Sequence, residues 1–184
     1  MRTKTKDTKT EFDLSDKKVG FIDFTSADFE DGKLQNAKFF GANLKFANFF
    51  LANLRFSQLR CANFYHAQLQ GANFTCADFA GANFERAELV AATFEGADLS
   101  GADLSEVNLT SADISSADLM GADLEFSDLR GADLNGADLS GADLRNTKLD
   151  GVKFPKGYGK LPVNKPKKKN PKKSSTNPNK SEKK

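Results

Sequence analysis

From Leu14 to Phe154 a large apolar residue stands at every fifth position without one insertion: Leu14, Val19, Phe24, Phe29, Leu34, Phe39, Leu44 and onward to Leu149 and Phe154. Two residues before each lies a second series that is small from Ala27 onward, interrupted only by Gly32, Ser57, Val107, Ser127, Thr147 and Val152. A period of five fits neither the 3.6 of a helix nor the 2.0 of a continuous strand. The chain must therefore turn within every unit. Two inward positions spaced by two residues fit a short extended segment, with the small and the large side chain facing in and the residue between them facing out. The remaining two residues make the turn. Glycine recurs at the second of them, as at Gly41, Gly81, Gly101 and Gly121, and glycine tolerates the positive φ that a tight corner can require.

The unit A-(D/N)-(L/F)-x-x, repeated in phase over roughly Phe24 to Phe154, resembles the signature of the pentapeptide-repeat family. The resemblance implies an all-β fold, a right-handed parallel β-helix of square cross-section with four units to a coil. Residues 20 apart then stack directly, and the units from Leu14 to Phe154 make about seven coils spaced ~4.8 Å, a rod roughly 34 Å long. Residues 1–18 are expected to form a partly disordered N-terminal cap, since a solenoid otherwise exposes an apolar end and an unpaired edge. Residues 19–154 are expected to form the solenoid. Residues 155–184 hold all five prolines and a run of lysines, too little apolar content to bury a core, and are expected to be disordered. Tyr158, Leu161 and Val163 are placed to fold back over the last coil.

The formal net charge of +2 conceals three blocks. Met1 to Cys76 has 11 basic residues against 8 acids, Ala77 to Arg145 has 3 against 15, and Asn146 to Lys184 has 13 against 2. Such segregation bears on partners more than on fold. No run of 18 apolar residues spans a membrane, and no apolar region follows the basic N-terminus, so a cytoplasmic location is expected. His66 is the only histidine, so neither a zinc cluster nor a His-based triad can be assembled. It is read as a plain surface residue. No cofactor motif and no catalytic or metal site is expected, and the chain is read as a non-enzyme. Cys61 and Cys76 occupy different corners of adjacent coils, which predicts two free thiols.

Two groups of outward residues are candidate interaction sites. The stack puts Asp78, Asp98, Asp118 and Asp138 in one column and Asp103, Asp123 and Asp143 in the next. Their simplest role is to hydrogen-bond the neighbouring turn and keep the sheet soluble; weak Ca²⁺ binding or imitation of nucleic-acid phosphates are alternatives. The second group is a belt in which Phe40, Lys45, Phe46, Phe50, Leu51, Arg55, Phe56, Arg60, Tyr65 and His66 replace the usual small corner residues. Exposed aromatics among basic residues are typical of contact surfaces, although cover by an N-terminal segment or a dimer mate is also open.

The Lys-rich tail suits a polyanion such as nucleic acid, an acidic membrane, the chain's own acidic columns, or simple solubilisation. The leading expectation is a scaffold that binds an unknown protein partner. The alternative is an acidic DNA mimic acting on a DNA-binding protein such as gyrase, because one branch of the family protects gyrase from quinolones in this way. That branch carries an apolar dimerising helix where this chain has its Lys/Pro segment, so a monomer is expected over a dimer.

Overall fold

The computed structural model describes residues 13–158. Within it every unit contributes a one-residue rung to a parallel ladder, and each rung pairs with the residue 20 positions on, from Asp13 with Lys33 to Asp133 with Lys153. Four such columns make the four faces of the coil. The first carries Asp13, Lys33, Asn53, Asn73, Thr93, Asp113, Asp133 and Lys153; the second, Lys18, Lys38, Gln58, Asp78, Asp98, Asp118 and Asp138. The third carries Asp23, Asn43, Asn63, Asn83, Asp103, Asp123 and Asp143; the fourth, Asp28, Asn48, Gln68, Glu88, Asn108, Asp128 and Lys148. We call the corner leading from the first face to the second the first edge, and number the others likewise.

The two inward series build the core. The large residues from Phe29 to Leu139 are almost wholly buried, as are the alanines between them. Leu14, Val19, Phe24, Leu149, Phe154 and Tyr158 pack against its two ends. The Tyr158 ring stacks on Phe154 at 5.1 Å, so it closes the last coil as expected, whereas Leu161 and Val163 lie outside the described residues. The core rings of Phe29 and Phe49, Phe64 and Phe84, and Phe74 and Phe94 stack at 4.6, 4.9 and 4.8 Å, which is the spacing of hydrogen-bonded strands. Ser57 and Ser127, polar members of the small series, are buried and donate their hydroxyls to the carbonyls of Leu54 and Leu124 at 2.6 and 2.7 Å.

The backbone explains the composition of the unit. Leu99 N–H donates to the Asp118 carbonyl, Gly101 N–H to Met120, Asp103 N–H to Ala82, and Ala102 N–H closes the corner onto Leu99, at 2.7 to 3.0 Å. Four of the five amides thus find backbone carbonyls. The fifth, Ser100 N–H, is taken by the Asp98 carboxylate at 2.9 Å. Asp or Asn follows because its short side chain reaches the amide two residues on. The expected hydrogen-bonding of the Asp columns to the neighbouring turn is what the coordinates show.

Candidate functional site

The second corner residue has positive φ in every unit from Asp16 to Gly151, and eighteen of these residues are not glycine. They include Phe21, Phe46, Leu51 and Phe56, with φ between 56 and 60°. The left-handed region costs an L-residue roughly 1–2 kcal/mol. The corner is imposed by the stack, and a bulky side chain there is held outward on a rigid backbone.

The belt is thereby spread over all four edges and over more than one coil. Phe56 with Arg55 lies on the first edge, Phe40 and Arg60 on the second, Lys45, Phe46, Tyr65 and His66 on the third, and Phe50 with Leu51 on the fourth. It therefore divides into two opposite sides. Phe40 and Phe56 flank the second face, while Phe46, Phe50 and Leu51 flank the fourth, whose residues at that level are the uncharged Asn48 and Gln68. Phe40, Phe46, Phe50, Leu51 and Phe56 are between 42 and 53% exposed, so the described residues 13–158 do not cover them.

The belt side chains are ordered by their neighbours. Phe21 packs edge-on to Phe40 at 5.1 Å, and its ring lies over Gly41, where a Cβ would come within 2.7 Å of it. Leu51 covers Gly71 in the same way. The Arg55 guanidinium sits 5.2 Å above the Phe56 ring, and Arg60 pairs with Asp78 at 3.3 Å.

The third edge has no glycine at any level: Ser26, Phe46, His66, Arg86, Glu106, Phe126 and Asn146 succeed one another. His66 is exposed as expected, and it stacks on Phe46 at 5.7 Å and meets Tyr65 edge-on at 4.5 Å. Arg86 donates to the Tyr65 hydroxyl at 3.3 Å and to the Glu106 carboxylate at 2.8 Å. The hydrogen bond from Arg86 holds the Glu106 carboxyl below its ordinary range. The signal for this edge was available by reading every twentieth residue.

The acidic columns occupy the second and third faces in the expected order. Each aspartate accepts the amide two residues on: Asp78 from Ala80, Asp118 from Met120, Asp138 from Ser140, Asp103 from Ser105, Asp123 from Glu125 and Asp143 from Arg145. The Ser140 hydroxyl and amide lower the Asp138 carboxyl below its ordinary value. Asp123, Glu125 and Asp143 bring carboxylate oxygens within 4.8 Å of one another. Arg145 donates to both Glu125, at 2.9 Å, and Asp143, so one guanidinium already partners two of the three carboxylates. The first and fourth faces end in lysines that reach back one coil, Lys153 to Asp133 and Lys148 to Asp128, each at 2.9 Å.

Cys61 and Cys76 are free and exposed, as the spacing predicts. No helix among the described residues is long and apolar enough to cross a membrane. The segments to which the cap and tail expectations mainly refer, 1–12 and 159–184, lie outside the described residues.

Comparison with known proteins bears on the fold. A search of curated proteins finds no match. Among solved structures, the pentapeptide repeat protein Rfr23 of the cyanobacterium Cyanothece 51142 is 32% identical with a TM-score of 0.49, over 50% of this chain and 63% of that one. A pentapeptide repeat protein of the Arabidopsis thaliana thylakoid lumen is 34% identical with a TM-score of 0.48, over 49% and 63%. QnrB1, a plasmid-mediated fluoroquinolone resistance protein, is 21% identical with a TM-score of 0.47, over 74% and 88%. The chain thus spans less than two thirds of the length of the first two. The family model for pentapeptide repeats matches in eight copies, over residues 21–55, 47–86, 87–125 and 117–154. With that coverage and a 20-residue parallel ladder, the chain belongs to the pentapeptide-repeat family and adopts its right-handed quadrilateral β-helix.

Proposed function

We propose that the chain is a non-enzymatic scaffold that captures a protein partner on its outer surface, centred on the third and fourth edges of the coil that carries Phe46, Phe50 and Leu51. The observation that carries this reading is the placing of bulky apolar side chains on positive-φ corners. Phe46 and Leu51 stand at φ 59 and 56° and remain about half exposed. The stack imposes that corner conformation at every level, so these bulky side chains are held outward on a backbone that the surroundings over-determine. Rigid aromatic anchors lose little entropy on binding, which is why they dominate interface energetics. Tyr65, His66 and Arg86 supply a polar rim beside them.

The test compares proteins captured by the native chain with those captured by a Phe46→Ser, Phe50→Ser double variant. Both positions point away from the core, so the variant should keep its β-helical circular dichroism and lose the specific partner. An unchanged capture profile with an intact fold would sink the reading.

A second reading, the nucleic-acid mimic, rests on one arrangement. Gly101, Gly121 and Gly141 line the second edge, with Ser100, Met120 and Ser140 beside them, between the columns Asp98, Asp118, Asp138 and Asp103, Asp123, Asp143. Two parallel rows of carboxylates flanking this edge offer regularly spaced negative charge. Inhibition of gyrase supercoiling, abolished by replacing both rows with asparagine, supports this reading; no inhibition at any concentration removes it.

A further inference from the structure

The second face is bipolar along the rod. Its upper rungs are Lys18, Lys38 and Gln58, and its lower rungs are Asp78, Asp98, Asp118 and Asp138. Between residues 32 and 77 the chain has five Lys and Arg and no acid, whereas Asp98, Asp118 and Asp138 stand on a face that ends without a lysine rung. We infer that this face is the contact surface for a second copy of the same chain, laid antiparallel about a two-fold axis at the level of Asp78.

The geometry follows from the 20-residue register. A rotation of 180° about an axis across the face at Asp78 sets Lys18 opposite Asp138 of the second copy, Lys38 opposite Asp118, and Gln58 opposite Asp98. The like charges that meet on the axis, the two Asp78 carboxylates, each already hold their own Arg60 at 3.3 Å. The flanking edges obey the same operation. On the first edge Arg55 faces Glu95, and the half-exposed Phe56 faces Gly96, whose missing side chain leaves room for a ring. On the second edge Phe40, 43% exposed, faces Met120, 52% exposed. Opposite charges, a ring against a bare glycine and two exposed apolar side chains thus coincide under one operator. An isologous contact requires this self-complementarity.

The contact is narrow. Seven rungs at ~4.8 Å by a side of ~10 Å give a footprint on the order of 300 Å² per copy before the flanking side chains are added. Stable interfaces bury about 800 Å² per partner. The pair is therefore weak, fast and sensitive to salt. It departs from the monomer expected from the sequence, and it uses the face opposite the proposed partner surface, so either can fail without the other.

Sedimentation equilibrium of the full chain tests it. At about 1 mM chain, where an association of roughly millimolar dissociation constant populates dimer, dimer should be present at low salt and lost at high salt. Lys38→Asp or Asp118→Lys alone should weaken association about tenfold or more, and the double charge swap should restore it, because like charges set face to face are strongly unfavourable. Asp118 also accepts the Met120 amide, so circular dichroism of each variant checks the fold, and Lys38→Asp serves by itself where Asp118→Lys unfolds. Cys76 lies beside the axis and Cys61 does not, so mild diamide oxidation should join two chains through Cys76. The link should vanish in Cys76→Ser and survive in Cys61→Ser. A chain that stays monomeric at low salt, as it would if its own Lys-rich segment or another partner covered the face, overturns the inference, as does a dimer indifferent to the charge swap or linked through Cys61.

Discussion

At the scale of the residue, the unit is explained by satisfied amides and by corners. An Asp or Asn between the two inward residues accepts the one amide in each unit that the ladder leaves without a carbonyl, as Asp113 does for Ser115 at 3.0 Å. Asp113→Asn keeps an acceptor there and should leave stability nearly unchanged, whereas Asp113→Ala should cost about 1 kcal/mol in a denaturant titration. If the two variants titrate alike, the carboxylate's role at the corner is wrong. The corner itself demands positive φ whatever residue occupies it. Gly121 stands at φ +69 with nothing near a would-be Cβ, so Gly121→Ala isolates the backbone term. It should destabilise by about 1 kcal/mol, and Ala91→Gly, at φ 56, should stabilise by somewhat less because glycine also frees the unfolded chain. Equal midpoints for all three proteins would contradict this account.

At the scale of the coil, small and large inward residues alternate because the square interior is narrow. Leu119 is fully buried and Ala117 nearly so. Leu119→Ala should lower stability by about 2–5 kcal/mol through a cavity at the axis, and Ala117→Leu should cost about 1–3 kcal/mol by overpacking. Neutral results for both would mean that the two series do not face inward. The coil also decides which outward residues are neighbours. The belt from Phe40 to His66 is continuous in sequence, yet its aromatics lie on four edges and serve two opposite sides. His66 is a lone histidine by spacing and a member of an aromatic stack by geometry, because Phe46 lies 20 residues before it.

For the whole molecule, charge is the variable that conditions change. The Arg130 side chain, with Lys148 second, holds the Asp128 carboxyl well below the ordinary range. The Lys153 side chain lowers Asp133, the Thr25 hydroxyl and amide lower Asp23, and those of Ser140 lower Asp138. A carboxyl whose folded value lies below its unfolded one stabilises the fold above the unfolded value and loses that contribution as pH falls through the folded one. Stability should therefore be nearly level above about pH 5 and fall steadily as acid passes the ordinary aspartate value near 3.8. Thermal melts across pH 2 to 7 check this; a chain as stable at pH 2.5 as at pH 6 would show that these pairs do not bear on folding.

The sequence by itself determined the period, the inward series and the glycine corners, because a repeat without insertions puts every unit in the same register. The Leu and Ala series from Phe24 to Phe154 carried the fold, and the four-unit coil that the family resemblance implies put Asp98, Asp118 and Asp138 in one column. Only the tertiary structure decided that non-glycine corners share the glycine backbone, that Asp98 spends a lone pair on Ser100, and that Phe46 stacks on His66 while Phe40 faces another side. The reason is physical. Inward positions report themselves through hydrophobicity, whereas an outward residue is defined by its neighbour one coil away. That neighbour becomes visible only once the coil length is set by hydrogen bonds between residues 20 apart.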